Sequence, residues 1–247
     1  MRHIVVIGAT SAIASACIEI WANQMPTKFS LIARDSNKLQ RMSKDFIIRF
    51  PLIEISQYTL DFLNVEEVSS LIHKISKVVP IEIALLAQGY LPEQVDCESD
   101  IELCKKTINI NAISPVLFLE ALAQIMENQK FGTLAVIGSV AGDRGRKSNY
   151  VYGASKALIA AYMGGLSHRF SKSKINIILI KPGPVETPMT ERYRRSGLAM
   201  ASPKKVAKDI TKGISIGNNI IYTPGKWRWV MLLIVHLPKF IFNRMRI

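Results

Sequence analysis

The sequence predicts an α/β domain: a doubly wound parallel sheet of about seven strands with helices on both faces. Three observations predict it. Short apolar runs of strand length recur along the chain, and longer segments of helical period lie between them. Helix-length crossovers between strands mean parallel pairing, since a hairpin turn is too short to return the chain to the same end. A length of 247 residues, 49% hydrophobic and 21% charged, can bury a large core and is not the composition of a disordered chain.

The strands read, in order, as "HIVVIG", "FSLIA", "IEISQY", "IEIALLA", "TLAVIG", "INIILI" and "NIIYT". Helical spacing covers 11–25, 36–49, 64–78, 98–127, 149–171 and 202–213. Ser202 before Pro203 marks the last start, with a capping hydroxyl followed by proline at the first helical position. No repeat, low-complexity tract or linker interrupts the pattern. Residues 1–225 therefore read as one domain, and 226–247 as a basic, apolar tail.

The 32 basic and 19 acidic residues give a net charge of +13, which suits an anionic partner. Nucleic acid, an anionic membrane surface and a phosphorylated substrate all meet that condition. With no RNA-binding aromatic motif and no basic recognition helix, no nucleic acid partner is expected. Cys17, Cys97 and Cys104 do not make a disulfide framework or a zinc site, so a reduced, cytoplasmic setting is expected. His3, His73, His168 and His236 are scattered, so no metal is expected. "MRHIVVIGATS" enters a strand at once, leaving no room for a signal peptide. No run of about 18 apolar residues marks a transmembrane helix.

In such sheets ligands bind beyond the carboxyl ends of the strands, and the chemical residues should follow the apolar runs. The first strand runs into "GATSAIA", Gly8 to Ala14, and then a helix. A tight turn into a helix N-terminus offers free N–H groups and a positive dipole end to a pyrophosphate. Gly8 supplies the turn, and Thr10 and Ser11 are candidate caps. Ala12 and Ala14 stand where a glycine-rich loop would have glycine, so an ordinary strand-to-helix turn is an equal reading of this loop alone. The second strand ends at Ala33, with Arg34 next. A neutral residue followed by arginine suits the 2′-phosphate of NADP(H), with NAD(H) not excluded. Asp35 reads as the cap of the next helix.

"SNYVYGASKALIA" sets two tyrosines ahead of one lysine at a helix start. Four residues apart share a helix face and six do not, so Tyr152 pairs with Lys156 and Tyr150 does not.

With "VIGSVAGDRGRKSNYVYGASK" added, the chain resembles the short-chain dehydrogenase/reductase family along its whole length, and with it the Rossmann-type fold. The family's pattern falls on the Gly8–Ala14 loop, Asn111 in "NINAIS", Ser139 in "GSV", Tyr152 with Lys156, and the "PG" of "KPGPVETPM". Its Asn-Asn-Ala-Gly stretch is altered to "LAQG", residues 86–89. The resemblance implies that Tyr152 gives a proton to the alkoxide formed when a ketone accepts hydride. Lys156 acidifies that phenol and holds the nicotinamide ribose; an adjacent cation lowers an acid's pKa by about 1–3 units. Ser139 would hydrogen-bond the substrate carbonyl, and Asn111 would anchor a water of the proton relay. By the same resemblance Gly8, Thr10, Ser11 and Ile13 would hold the pyrophosphate, and Asp61 the adenine. Ala87 and Gly89 would line the adenosine ribose, and Pro182, Gly183, Val185 and Thr187 would hold the carboxamide. A serine hydrolase is excluded because "IGSVAG" lacks Gly-x-Ser-x-Gly.

Arg144, Arg146 and Lys147 lie between Ser139 and Tyr152, and Arg192, Arg194 and Arg195 follow the "PG" segment. Arginine forks at a substrate mouth suit phosphate. The tail "KWRWVMLLIVHLPKFIFNRMRI" mixes bulky apolar and basic residues with no acid. It suits either an interfacial anchor on an anionic leaflet or a helix packed over the core. This loop and this ending resemble the branch of the family that reduces a keto-sugar carried on a polyprenyl phosphate. That resemblance implies a lipid-phosphate keto-sugar substrate, a place in cell-envelope synthesis and an oxidase partner supplying the ketone. Ala160, Ala161, Gly164 and Gly165 permit close helix approach, and the family's habit of pairing this helix implies a homodimer or homotetramer. The alternatives are a reductase of a soluble keto-acyl or steroid-like compound, and an NADP-binding regulator without turnover.

Overall fold

The computed structural model describes residues 1–191 and 199–245. Seven parallel strands are ordered β3-β2-β1-β4-β5-β6-β7. They are β1 (Arg2–Ile7), β2 (Thr27–Ala33), β3 (Ile53–Thr59), β4 (Ile83–Leu86), β5 (Phe131–Ile137), β6 (Lys174–Pro182) and β7 (Ile220–Thr223). Winding reverses between β1 and β4, which opens a crevice at their carboxyl ends.

Both sheet faces are buried, so the strands read as continuous apolar runs rather than alternations. Ile4 and Val6 of β1 pack beneath α1 (Ala12–Gln24), α2 (Ser36–Arg49) and the later helix Pro203–Ser215, with Trp21, Phe46 and Ile210 in that layer. Val5 and Ile7 point the other way, towards α3 (Val65–Ser76) and two long helices that supply Phe118, Leu122 and Met163. Burying each such side chain contributes about 1.5–3 kcal/mol. Side chains cap the helices as the residue types demand. Ser11 Oγ accepts from the Ala14 N–H at 3.1 Å, Asp35 Oδ1 from Lys38 at 2.9 Å, and Ser202 Oγ from Lys205 at 3.2 Å.

The segment expected as one helix over 98–127 is broken. It comprises α4 (Gln94–Ser99), α5 (Ile101–Ile108), a π-helical turn Asn109–Ile113, and α6 (Ser114–Gln129). Asp100 makes the first break by turning its carboxylate onto the Leu103 N–H at 3.1 Å. Residues 101–129 are long and apolar enough to cross a membrane by composition, but half of their apolar 18-residue stretch is buried, with Phe118, Leu122 and Met126 in the core. The last helices are α7 (Tyr150–Arg169), α8 (Pro203–Ser215), α9 (Trp227–His236) and α10 (Lys239–Phe242).

Candidate active site

Gly8 follows β1 with φ +73°. A Cβ there would lie 2.5 Å from the Gln88 nitrogen, so glycine is required both by the turn and by the approach of the loop after β4. The N–H groups of Gly8 and Ala9 both donate to the Ile32 carbonyl, and Ala87 donates to Ile7, tying three strand ends into one floor. Helix α1 leaves this floor with no acidic residue in its first turn, so its positive end faces the crevice without a side-chain counter-charge. Thr10, Ser11 and Ile13 border the turn, partly exposed. Ala14, by contrast, is fully buried at a position where the glycine-rich pattern has glycine, which shows that the methyl group is accommodated against the sheet.

Arg34 and Asp61, brought from the ends of β2 and β3, line one small cavity with Phe62, Gln88, Ile110 and Ser114. Asp61 Oδ1 accepts from the Leu63 N–H at 3.0 Å, which fixes the carboxylate at the rim. Gln88 is a residue that sequence reasoning passed over. It is buried, its Nε2 is 3.4 Å from Ser114 Oγ, and its Oε1 has no partner. Its only signal in the sequence was that glutamine replaces alanine in "LAQG", which places a polar side chain where the family pattern has a methyl group.

The residues expected to handle the proton converge beyond β4 and β5. Lys156 is 3% exposed, and its Nζ donates to the Ile137 carbonyl at 3.0 Å. The same Nζ stands 5.8 Å from the centre of the Tyr152 ring, one helical turn back on α7. Burial pushes the Lys156 ammonium down to about 8. A Cβ on Gly89 would sit 3.4 Å from Asn111 Oδ1, 3.6 Å from Met189 Cε and 3.9 Å from Lys156 Nζ, so Gly89, Asn111, Lys156 and Met189 share one locus.

Asn111 sits in the π-turn, fully buried. Its amide donates to the carbonyls of Tyr90 at 2.7 Å and Thr107 at 2.9 Å, and its Oδ1 accepts from the Tyr90 N–H at 2.9 Å. The side chain thus clamps the loop after β4 to the helix, and a helix opened at that point is a recurrent mark of functional sites.

Ser139 follows β5 and starts a 3₁₀ turn, Val140–Gly142, with its Oγ accepting from the Ala141 N–H at 3.1 Å. That turn lies directly on α7. A Cβ on Gly142 would be 2.8 Å from the Lys156 carbonyl carbon, and one on Gly153 would be 2.9 Å from the Ala141 oxygen. Two glycines therefore seat the Ser139 loop on the helix that carries Tyr152 and Lys156. Tyr152 is half-buried, whereas Tyr150 is exposed.

The segment after β6 forms the remaining wall. Gly183 donates its N–H to the Thr223 carbonyl, and its α-carbon lies under the Trp227 indole, where a Cβ would be 2.0 Å from Nε1. Pro182 closes β6, Val185 bridges to Ala201, and Thr187 caps a short 3₁₀ turn with Thr190.

The mouth arginines are placed differently from expectation. The Arg144 guanidinium donates to the carbonyls of Ile234, Val235 (3.2 Å) and Leu237 (2.8 Å), and lies 3.8 Å over the Phe242 ring. Arg146 Nη2 contacts Met231 Sδ at 3.3 Å, and burial lowers its pKa. Both guanidinia thus contact the tail, Arg144 by serving the last carbonyls of its helix, which need donors. Asp143, next to Arg144 in the chain, pairs with Lys181 at 2.5 Å and accepts from the Tyr222 hydroxyl at 3.0 Å. Arg192 and Arg194 lie outside the described residues.

The sequence profile of the short chain dehydrogenase family matches residues 2–197. An uncharacterized oxidoreductase of Mycobacterium tuberculosis is 31% identical over 166 residues, which is 67% of this chain and 66% of that protein, just under two thirds of its length. An uncharacterized oxidoreductase of Streptomyces coelicolor is 28% identical over 247 residues, spanning 99% of this chain and 96% of its own. Among solved structures, a short chain dehydrogenase from Burkholderia cenocepacia in complex with NADP superposes with a TM-score of 0.83 at 16% identity, over the full length of both chains. A variant of actinorhodin polyketide ketoreductase with NADPH gives 0.79 at 20% identity, over 90% of this chain and 95% of that one. The fold, the order of the motifs and the family match agree: the chain belongs to the short chain dehydrogenase family, a family of oxidoreductases.

Proposed function

We propose that the chain reduces a ketone to a hydroxyl with NADPH, and that the ketone belongs to a sugar carried on a polyprenyl phosphate, a precursor of cell-envelope polysaccharide. The observation that carries the reduction is the buried Lys156 ammonium, held by the Ile137 carbonyl one helical turn from Tyr152.

The crevice fits a dinucleotide phosphate. Gly8 leaves no Cβ over the floor, the α1 dipole end is uncompensated, and Arg34 with Asp61 and Gln88 rims one cavity beside it. Ala33 puts no carboxylate at the end of β2 to repel a 2′-phosphate, and Arg34 is exposed beside it. The bound forms of two structural neighbours, one with NADP and one with NADPH, support the same choice. Gly8, Thr10, Ser11 and Ile13 would hold the pyrophosphate, Ala87 and Gly89 the adenosine ribose, and Pro182, Gly183, Val185 and Thr187 the carboxamide. The dinucleotide supplies the hydride.

Each catalytic side chain then has one task. Ser139 turns its hydroxyl proton to the carbonyl oxygen, since its lone pair already accepts from Ala141. Tyr152 gives its phenolic proton to that oxygen as negative charge develops. Lys156, charged below a pH of about 8, stabilises the phenolate left behind from within a dry pocket. Asn111 holds the Tyr90 backbone and so fixes the wall that faces them. Tyr152→Phe should cut turnover by about 10²–10⁴-fold and leave NADPH affinity unchanged, as measured by fluorescence titration.

The lipid-linked substrate is supported by the basic, apolar tail clasped to the Ser139 loop. An oxidase supplying the ketone would be the preceding enzyme. Gly164 and Gly165 face open space on α7, which suits pairing of two copies along that helix as a homodimer or homotetramer. The setting would be cytoplasmic, at the inner face of the membrane. The deciding experiment offers purified chain and NADPH a polyprenyl-phosphate keto-sugar and a panel of free ketones. Preference for the lipid-linked sugar is expected. Ready reduction of free keto-acyl or steroid-like ketones with the lipid-linked sugar ignored would overturn the substrate, and no hydride transfer to either would indicate a regulator.

A further inference from the structure

We infer that the outward face of α9 and α10 docks flat on an anionic lipid bilayer and presents the mouth beside Ser139 to it. This deepens the membrane reading above and rests on it only for the substrate that would wait there.

Helix α9 is apolar on both sides. Trp227, Met231 and Ile234, spaced four and three apart, face inward. Met231 is 1% exposed, and the Trp227 indole covers Gly183. The opposite side carries Trp229, Leu232 and Leu233, which share a face at three- and four-residue spacing and are 69%, 53% and 66% exposed. Phe240 on α10 adds a ring that is 67% exposed. A helix buried on one side and polar on the other is the ordinary surface helix; one that shows bulky apolar groups to solvent marks an interaction surface.

Charge selects the occupant. Lys226, Arg228, Lys239 and Arg244 are exposed around this face, and residues 226–245 include no Asp or Glu. A second copy would set the same basic rim against itself on this face, whereas an anionic leaflet attracts each such cation by about 1 kcal/mol. Length sets the pose. The 10 residues of α9, at about 1.5 Å each, reach about half of a hydrocarbon core of roughly 30 Å. The helix must lie in the interface and cannot cross it.

The clasp turns docking into orientation. Arg144, five positions beyond Ser139, closes the carboxyl end of α9 through the carbonyls of Ile234, Val235 and Leu237 and stacks on Phe242 of α10. Whatever seats the tail therefore seats the Ser139 loop. A substrate whose lipid stays in the leaflet would meet the site without leaving the membrane.

The test uses the full chain and vesicles that contain no substrate, made either of phosphatidylglycerol and phosphatidylcholine in equal parts or of phosphatidylcholine alone. Flotation should carry the chain with the anionic vesicles, less so as salt rises, and leave it behind with the neutral ones. Trp229 should shift its emission to the blue on binding, because Trp21 is buried and Trp227 is already covered. Trp229→Phe should remove that shift and keep the binding. The double variant W229E/L233E alters two exposed positions, so thermal unfolding should match the parent while partition to anionic vesicles falls roughly tenfold or more. The proposal is overturned if the parent stays in solution with anionic vesicles. It is also overturned if the double variant floats like the parent, or if that variant only halves the mass in solution and neither protein floats, which would make the face a subunit contact. Failure of the keto-sugar assay leaves every one of these readouts in place, so the two readings fail separately.

Discussion

The two sides of the crevice are built differently. On the β1–β4 side the walls are backbone: Gly8 under Gln88, and Ala87 on Ile7. On the mouth side they are charged side chains: Asp143 on Lys181 and Tyr222, Arg144 on the tail carbonyls. Backbone contact leaves no freedom in position and makes the residue type decisive. Side-chain clasps let one scaffold carry different mouths, at the cost of buried charge that must stay paired.

Four substitutions can break or sharpen that contrast. Asp143→Ala should have the largest effect, a loss of about 3 kcal/mol in chemical denaturation, because Lys181 is left nearly buried without its carboxylate. Gly8→Ala should cost about 2–3 kcal/mol and abolish dinucleotide binding, since the new methyl meets main chain at a positive φ. If Gly8→Ala proves mild, the backbone side is less rigid than its contacts imply.

Lys156→Met should abolish turnover yet stabilise the free protein by about 2 kcal/mol at neutral pH. It removes a buried charge and leaves the Ile137 carbonyl unpaired. The sign with pH follows from the lowered value. Below about 8 the ammonium is charged in both native and unfolded chains, and the burial penalty is fully present. As pH rises from about 8 towards the ordinary 10.5, the native state releases its proton first and the parent recovers stability that the variant already has. Over the same rise, kcat/KM for reduction should fall as pH passes about 8. The smallest effect is expected from Gln88→Leu, which removes an acceptor without disturbing the floor. NADPH binding should weaken about fivefold, with thermal stability unchanged or raised.

That contrast also explains what could be read from sequence. Strands, crossovers and the Asp35 and Ser202 caps were legible because each depends on neighbours a few residues away. The set Asn111, Ser139, Tyr152 and Lys156 could be picked out only as a family pattern; the fold brings Asn111 and Lys156 to Gly89 while two glycines seat the Ser139 turn on α7. The clasp of Arg144 on the tail was not legible because a fork that binds phosphate binds helix carbonyls equally well, and its partners lie 90, 91 and 93 positions away. The helix expected over 98–127 failed for a related reason. Asn111 is drawn out of regular winding by the Tyr90 main chain, 21 positions earlier, and no local residue preference records that pull.

The π-turn at Asn109–Ile113 carries a consequence for anyone who edits this protein. An α-helix advances about 100° per residue and a π-turn absorbs one extra residue, so forcing regular winding there with every residue kept would rotate everything downstream by roughly that angle. Phe118, Leu119 and Leu122 would swing from the sheet towards water, although no apolar residue had been touched. Chimeras that exchange α5 or α6 with a relative should therefore be aligned on the irregular turn, with residue count preserved across it, before any side chain is matched.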